Sequence, residues 1–147
     1  MENSNGVRWL QVLGAMFAVA GLIDSLYLWS FKWGGRLVCA VGGCEAVNTS
    51  SYSTLLGVPV AAIGAVGYAA LLALAVWALF AGDNAPAWLN DARLTFSTIG
   101  LLFAAYLTIV ELFILHDVCM WCVLQAIAIT AIFVGVLVER RREGQVA

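Results

Sequence analysis

Four long apolar stretches separated by short polar breaks set the pattern of this chain: about Trp9–Trp29, Val58–Ala81, Leu94–Leu115 and Met120–Val138. Each is long enough to cross the roughly 30 Å of hydrocarbon in a bilayer, which takes about 20 residues. The second and fourth stretches carry no charge, the first only Asp24 and the third only Glu111. The pattern predicts an all-α integral membrane protein, a single four-transmembrane-helix bundle over residues 1–147, with an outer loop at 30–57. That loop is expected to carry a short helix over Ser50-Ser51-Tyr52-Ser53-Thr54-Leu55-Leu56, ended by Gly57 with Pro59 just beyond. Within the first stretch, Ala18-Val19-Ala20 mimics a signal-peptidase site. The apolar run continues to Trp29, however, and Glu2 accompanies a lone Arg8 in the leader, so the stretch is expected to remain as a span.

Composition strengthens this reading. The chain is 63% hydrophobic and 11% charged, against an apolar share of about 45–50% in water-soluble domains. A net charge of −2, with no basic stripe beyond Arg140-Arg141-Arg142, argues against nucleic acid as a partner. Arg8, Arg93 and the terminal arginine run fall on the termini and the loop between spans two and three, against Lys32 and Arg36 on the opposite face. By the positive-inside rule both termini are then cytoplasmic, in a plasma (inner) membrane. The loop and the turn at His116 face the exterior or periplasm, and all four cysteines lie on that oxidising side, where disulfides persist.

The candidate chemistry lies in those cysteines. Cys119-Met120-Trp121-Cys122 stands where the break at His116-Asp117 gives way to the last span. A helix N-terminus offers free N–H groups and positive dipole charge that lower a thiol pKa, and the thiolate is the nucleophile in disulfide exchange. Cys122 lies three residues on, roughly 4.5 Å further along a helix axis. One sulfur is expected to face water and the other the apolar interior. Cys39 and Cys44 flank Gly42-Gly43, which permit a sharp reversal that brings two sulfurs together; the pair then serves either as a second redox dithiol or as a static staple. Asp24 and Glu111 are ionisable groups inside the hydrocarbon, a placement that is costly and faces the bundle interior. Glu111 either relays a proton near the depth of Cys122, Trp121 and Gln125 or hydrogen-bonds a helix neighbour. The small residues of span two, Gly64 and Gly67 among them, are read as helix packing.

Taken together, Cys39, Cys44, Val47, Ser50, Tyr52, Gly57, Pro59, Gly64, Tyr68 and Cys119-x-x-Cys122 opening the last helix resemble a bacterial-type vitamin K epoxide reductase family member. The resemblance covers nearly the whole chain. It implies a four-helix bundle that holds a quinone near the outer face and couples disulfide formation to quinone reduction. It further implies that Cys39 and Cys44 take electrons from a thioredoxin-like or DsbA-like thiol protein and pass them to Cys119 and Cys122, with Cys122 contacting the quinone. Trp121, Gln125, Ser50 and Glu111 are the expected quinone-binding residues, and no metal is expected. The sequence departs from the family pattern in a short Cys39–Cys44 spacing and in Ala126, where animal members place a tyrosine. The second departure favours a respiratory quinone, of ubiquinone or menaquinone type, over an epoxide. The short polar tail after Val138 implies a separate thiol partner.

Two other readings compete. A DsbB-type dithiol–quinone oxidoreductase also has four spans, but carries its C-x-x-C in the first outer loop, the reverse of the order here. A non-enzymatic membrane scaffold would use the cysteines as structural disulfides or as a zinc site, which needs four thiolates in tetrahedral geometry.

Overall fold

The computed structural model describes residues 2–146. Helix α1 (Glu2–Phe31) leads through a loop into a short helix α2 (Cys44–Thr49), a 3₁₀ turn (Ser51–Ser53) and a two-stranded hairpin, β1 (Thr54–Leu55) and β2 (Val58–Pro59). Helices α3 (Val60–Ala81), α4 (Ala87–Ile109, continued by a π-helical turn over Val110–Leu115) and α5 (Met120–Val146) follow. Among the described residues four helices are long and apolar enough to cross a membrane, and the protein is an integral membrane protein.

Local chemistry accounts for the boundaries. Pro59 and Pro86 directly precede α3 and α4, positions where a missing N–H costs a helix nothing. Gly82, at φ +53, ends α3 with its N–H bonded to the Ala78 carbonyl. The third crossing ends in the π turn, after which His116 adopts the left-handed conformation and reverses the chain into α5.

The loop differs from expectation. Its helix spans Cys44–Thr49, earlier in the chain, and the segment expected to be helical forms the 3₁₀ turn and the hairpin. The reason is Leu56-Gly57: both residues have positive φ, the backbone of a two-residue hairpin turn with the twist that antiparallel strands require. The helices also outrun the apolar stretches. Helix α4 begins at Ala87, so Arg93 lies inside it rather than in a loop.

Helix α1 packs closely on α3 and α5, and α4 on α5, around a core of Ala18, Tyr68, Leu71, Ala128, Ile129 and Ile132. Gly21 admits the Tyr68 ring, and a side chain there would overlap it. Such close approach is what holds membrane helices together, since lipid removes the hydrophobic drive between them. Helices α3 and α4 touch far less and leave space between them. Gly6 of α1 lies against Arg142 of α5, so both ends of the chain share one end of the bundle. At that end the Arg93 guanidinium donates two bonds to the Glu139 carboxylate, at 2.7 and 3.1 Å, with both residues at most 2% exposed. The cysteines occupy the opposite end.

Candidate active site

Residues 36–44 are laid across the end of α1 and the start of α5 by a set of main-chain anchors. The Val38 N–H donates to the Tyr27 hydroxyl at 2.8 Å, and the Trp121 indole N–H donates to the Val38 carbonyl at 2.8 Å. The Ala40 N–H meets the Met120 sulfur at 3.3 Å, and the Gly43 N–H donates to the Val118 carbonyl at 3.0 Å. Gly42 pairs with Cys119 as an antiparallel bridge. It has φ +94, and a Cβ there would overlap the Val118 carbonyl oxygen, so only glycine lets the loop dock this closely.

Docking places the two cysteine pairs in series. Cys39 and Cys44 form a disulfide, with Cα atoms 6.0 Å apart, and Cys119 and Cys122 are thiols. Cys39 is half-buried, whereas Cys44 is 1% exposed and Cys119 is wholly buried in the same cluster with Val47. Asn48 of α2 ties this cluster together, its amide donating to the Cys44 carbonyl at 2.8 Å and to the Cys119 sulfur at 3.6 Å. The expectation that one sulfur of the C-x-x-C faces water is therefore corrected: α2 and the bridged loop cover Cys119, and the solvent-side sulfur of the assembly is Cys39.

The Cys119 thiol is pulled down to about 7, chiefly by a hydrogen bond from the Cys122 thiol and against the opposing effect of its own burial. Above that pH the nucleophilic thiolate prevails, and below it exchange slows. With the Cys39–Cys44 bond intact, thiolate absorbance near 240 nm should therefore rise through a midpoint close to pH 7. In Cys122→Ala the midpoint should move up, because the hydrogen bond is gone. An unmoved midpoint would assign the shift to some other neighbour.

Below the sulfurs, the gap between α3 and α4 forms a cavity of about 440 Å³ that α5 closes from behind. Its size falls within the roughly 300–1,000 Å³ of small-molecule sites, and its wall is mostly aliphatic and aromatic with a few polar groups, as such sites are. Cys122, Gln125, Ser50 and Glu111 all lie on it, as does Ala126. Trp121 does not: its indole holds Val38, and its ring lies 4.9 Å from that of Tyr27. Trp121, expected from the sequence among the quinone-binding residues, is thus off this wall, because the first turn of α5 presents Trp121 to the loop and Cys122 to the cavity. Gly64 and Gly67, read from the sequence as packing residues, line the cavity, and a Cβ at Gly67 would meet nothing within 4 Å.

Some residues of the site were not singled out by the sequence. Asn48 carried no signal of its own. Lys32, counted only as a topological charge, lies on the cavity wall and donates to the Asn48 carbonyl and the Ser53 hydroxyl, each at 2.8 Å. Asp24, which the sequence does single out, is buried beside Gln125 and Tyr68, as expected of an acid facing the bundle interior. Next to it Gln125 donates its amide to the Ser25 hydroxyl at 2.9 Å, and Tyr68 donates to the Gln125 carbonyl at 2.7 Å.

A family model described as the vitamin K epoxide reductase family matches residues 12–137, a span that runs from within α1 to within α5 and includes both cysteine pairs.

Proposed function

The chain belongs to the vitamin K epoxide reductase family, and on that premise we propose that it is a membrane thiol:quinone oxidoreductase that reoxidises a thioredoxin-like thiol protein and reduces a quinone of the ubiquinone or menaquinone type. The observation that carries this reading is the line of sulfurs. Half-exposed Cys39 is bonded to buried Cys44, Cys44 shares a cluster with buried Cys119, and Cys122 opens onto the apolar cavity.

The gradient of burial orders the steps. A partner thiolate attacks the Cys39 sulfur, the reachable one, and Cys44 leaves as a thiolate; the partner's second thiol then closes its own disulfide and frees Cys39. Cys44 attacks Cys119 of an oxidised inner pair, releasing Cys122 toward the cavity. Cys39 then reclaims Cys44, so the loop disulfide re-forms and two electrons rest on Cys119 and Cys122. The structure has this distribution, with the loop pair oxidised and the inner pair reduced. Closing the Cys119–Cys122 bond sends two electrons and two protons to the quinone substrate. No swing of the loop is required, because Gly42 already holds it on Cys119. The loop disulfide also argues against a zinc site of four thiolates, since it removes two of the ligands.

Arg8 and the run Arg140-Arg141-Arg142 lie at the terminal end of the bundle and support cytoplasmic termini, with the cysteine end facing the periplasm or exterior. That side is oxidising, as an enzyme supporting disulfide formation requires.

The test is turnover of the purified protein in detergent with a reduced thiol protein and a soluble ubiquinone or menaquinone analogue. Gly67→Phe projects a ring into open cavity space, so it should fold normally yet lower quinone reduction about tenfold or more, while exchange between Cys39–Cys44 and the thiol donor continues at the wild-type rate. Folded wild-type protein that turns over neither quinone class would overturn the proposal.

A further inference from the structure

Among the described residues Glu111 is placed as no other acid. The π-helical turn that ends α4 begins at the preceding residue, and single π turns inside helices concentrate at functional sites. Its main-chain carbonyl accepts the Asp117 N–H at 3.2 Å, across the reversal at His116. Its side chain reaches past that turn, where Oε2 accepts the Cys119 N–H at 3.2 Å and the carboxyl faces the Cys122 thiol. The residue is 5% exposed and lies on the cavity wall. One carboxyl thus touches both residues of the inner pair and the space where the electron acceptor is proposed to sit.

A capping role explains one of these contacts only. The Cys119 N–H stands at the head of α5, where N–H groups lack helical partners, and Oε2 satisfies it. A neutral amide would do this equally well, without the cost of an ionisable group in hydrocarbon. What an amide lacks is the ability to take up a proton.

We propose that Glu111 is the catalytic proton acceptor for Cys122 and hands that proton to the quinone substrate. The inference rests on the function proposed above and adds the path of one proton to it. In the balanced step the Cys122 S–H bond breaks and its proton passes to the Glu111 carboxylate. The Cys119–Cys122 bond forms, and two electrons leave for the quinone. The Glu111 proton goes to one quinone oxygen, and the second proton, which Cys119 has already given up on becoming the nucleophilic thiolate, is taken from water. The dithiol is oxidised, the quinone is reduced to the hydroquinone, and Glu111 returns to the carboxylate. Positioned proton transfer of this kind contributes about 10²–10⁴-fold to a rate.

The experiment compares wild type with Glu111→Gln, which keeps an acceptor for the Cys119 N–H, and with Glu111→Asp. In Glu111→Gln, kcat for quinone reduction should fall about 10²-fold, while reduction of the Cys39–Cys44 bond by a thiol protein and the melting temperature stay unchanged. In quinone-free protein, alkylation of Cys122 by a small apolar maleimide, located by fragment mass spectrometry, should slow in parallel. Glu111→Asp should recover part of both. Wild-type kcat and alkylation in Glu111→Gln would overturn the proposal. So would equal losses in loop exchange and melting temperature, which would leave Glu111 a cap. If wild type reduces no quinone yet Cys122 alkylation still depends on Glu111, the proton acceptor stands and the quinone function fails.

Discussion

Alanine at Cys122 is expected to abolish quinone reduction with every thiol donor, whereas alanine at Cys39 is expected to abolish it only when the donor is a folded thiol protein. Cys122 is the one cysteine on the cavity wall, so without it no sulfur reaches the acceptor. Cys39 is the sulfur a protein donor can reach, because Cys44 and Cys119 are buried. A small lipid-soluble dithiol approaches from the other direction, through the cavity, and reduces the inner pair at Cys122 without using the loop. Steady-state rates with both donors decide the matter. Protein-driven turnover that survives Cys39→Ala would remove the loop pair from the path, and residual quinone reduction in Cys122→Ala would remove Cys122. Double substitutions test the order of transfer. In Cys39→Ala/Cys122→Ala the remaining thiols, Cys44 and Cys119, belong to one buried cluster and should join on mild oxidation. The corresponding Cys39–Cys119 bond in Cys44→Ala/Cys122→Ala should not form. Peptide mapping distinguishes the two.

What could be read from the sequence was whatever rests on one-dimensional pattern. Apolar runs of membrane-spanning length announced four helices, and the cysteine spacings with Gly42-Gly43 announced two sulfur pairs at one end. Contacts between segments far apart in the chain were not legible. The bond from Trp121 to Val38 joins residues 83 apart and makes Trp121 an anchor of the loop, a role its position in the sequence does not announce. Asn48 lies 71 residues from Cys119, and its amide chemistry gains meaning only from the docking of α2. The hairpin is hidden in the sequence for a different reason. Leucine is a poor residue for positive φ, so Leu56-Gly57 lacks the Asn-Gly or Asp-Gly signature that marks such turns. The π turn has no sequence signature at all, yet it sets the geometry of Glu111. A glycine reads as small in the sequence, but the sequence does not say whether it lets a helix approach, as Gly21 does, or lines a cavity, as Gly67 does.

Arg93 is the residue whose meaning changed most, and it yields the second large effect. Read as a loop charge that fixes orientation, it instead lies inside α4 and makes a bidentate, fully buried pair with Glu139 of α5, just beyond the apolar stretch where the last span was expected to end. Removing one partner leaves the other charge buried and uncompensated, a loss of about 3–5 kcal/mol. Arg93→Ala should therefore lower the unfolding free energy in detergent by an amount in that range, and Glu139→Ala should do the same. Replacing both together, as Arg93→Met/Glu139→Leu, should restore most of the stability, because a buried pair exchanged for apolar side chains of similar volume is often neutral. The neighbouring Arg140–Asp91 pair, with half or more of each side chain exposed, provides the internal contrast: Arg140→Ala should cost about 1 kcal/mol or less. Because the Arg93 pair sits at the end of the bundle away from the sulfurs, quinone reduction per folded molecule should be unchanged in the double variant. A double variant as unstable as the singles would show that the guanidinium's shape, rather than its charge, holds α4 on α5. Wild-type stability in Arg93→Ala would show that water reaches Glu139 and that this end of the bundle is open.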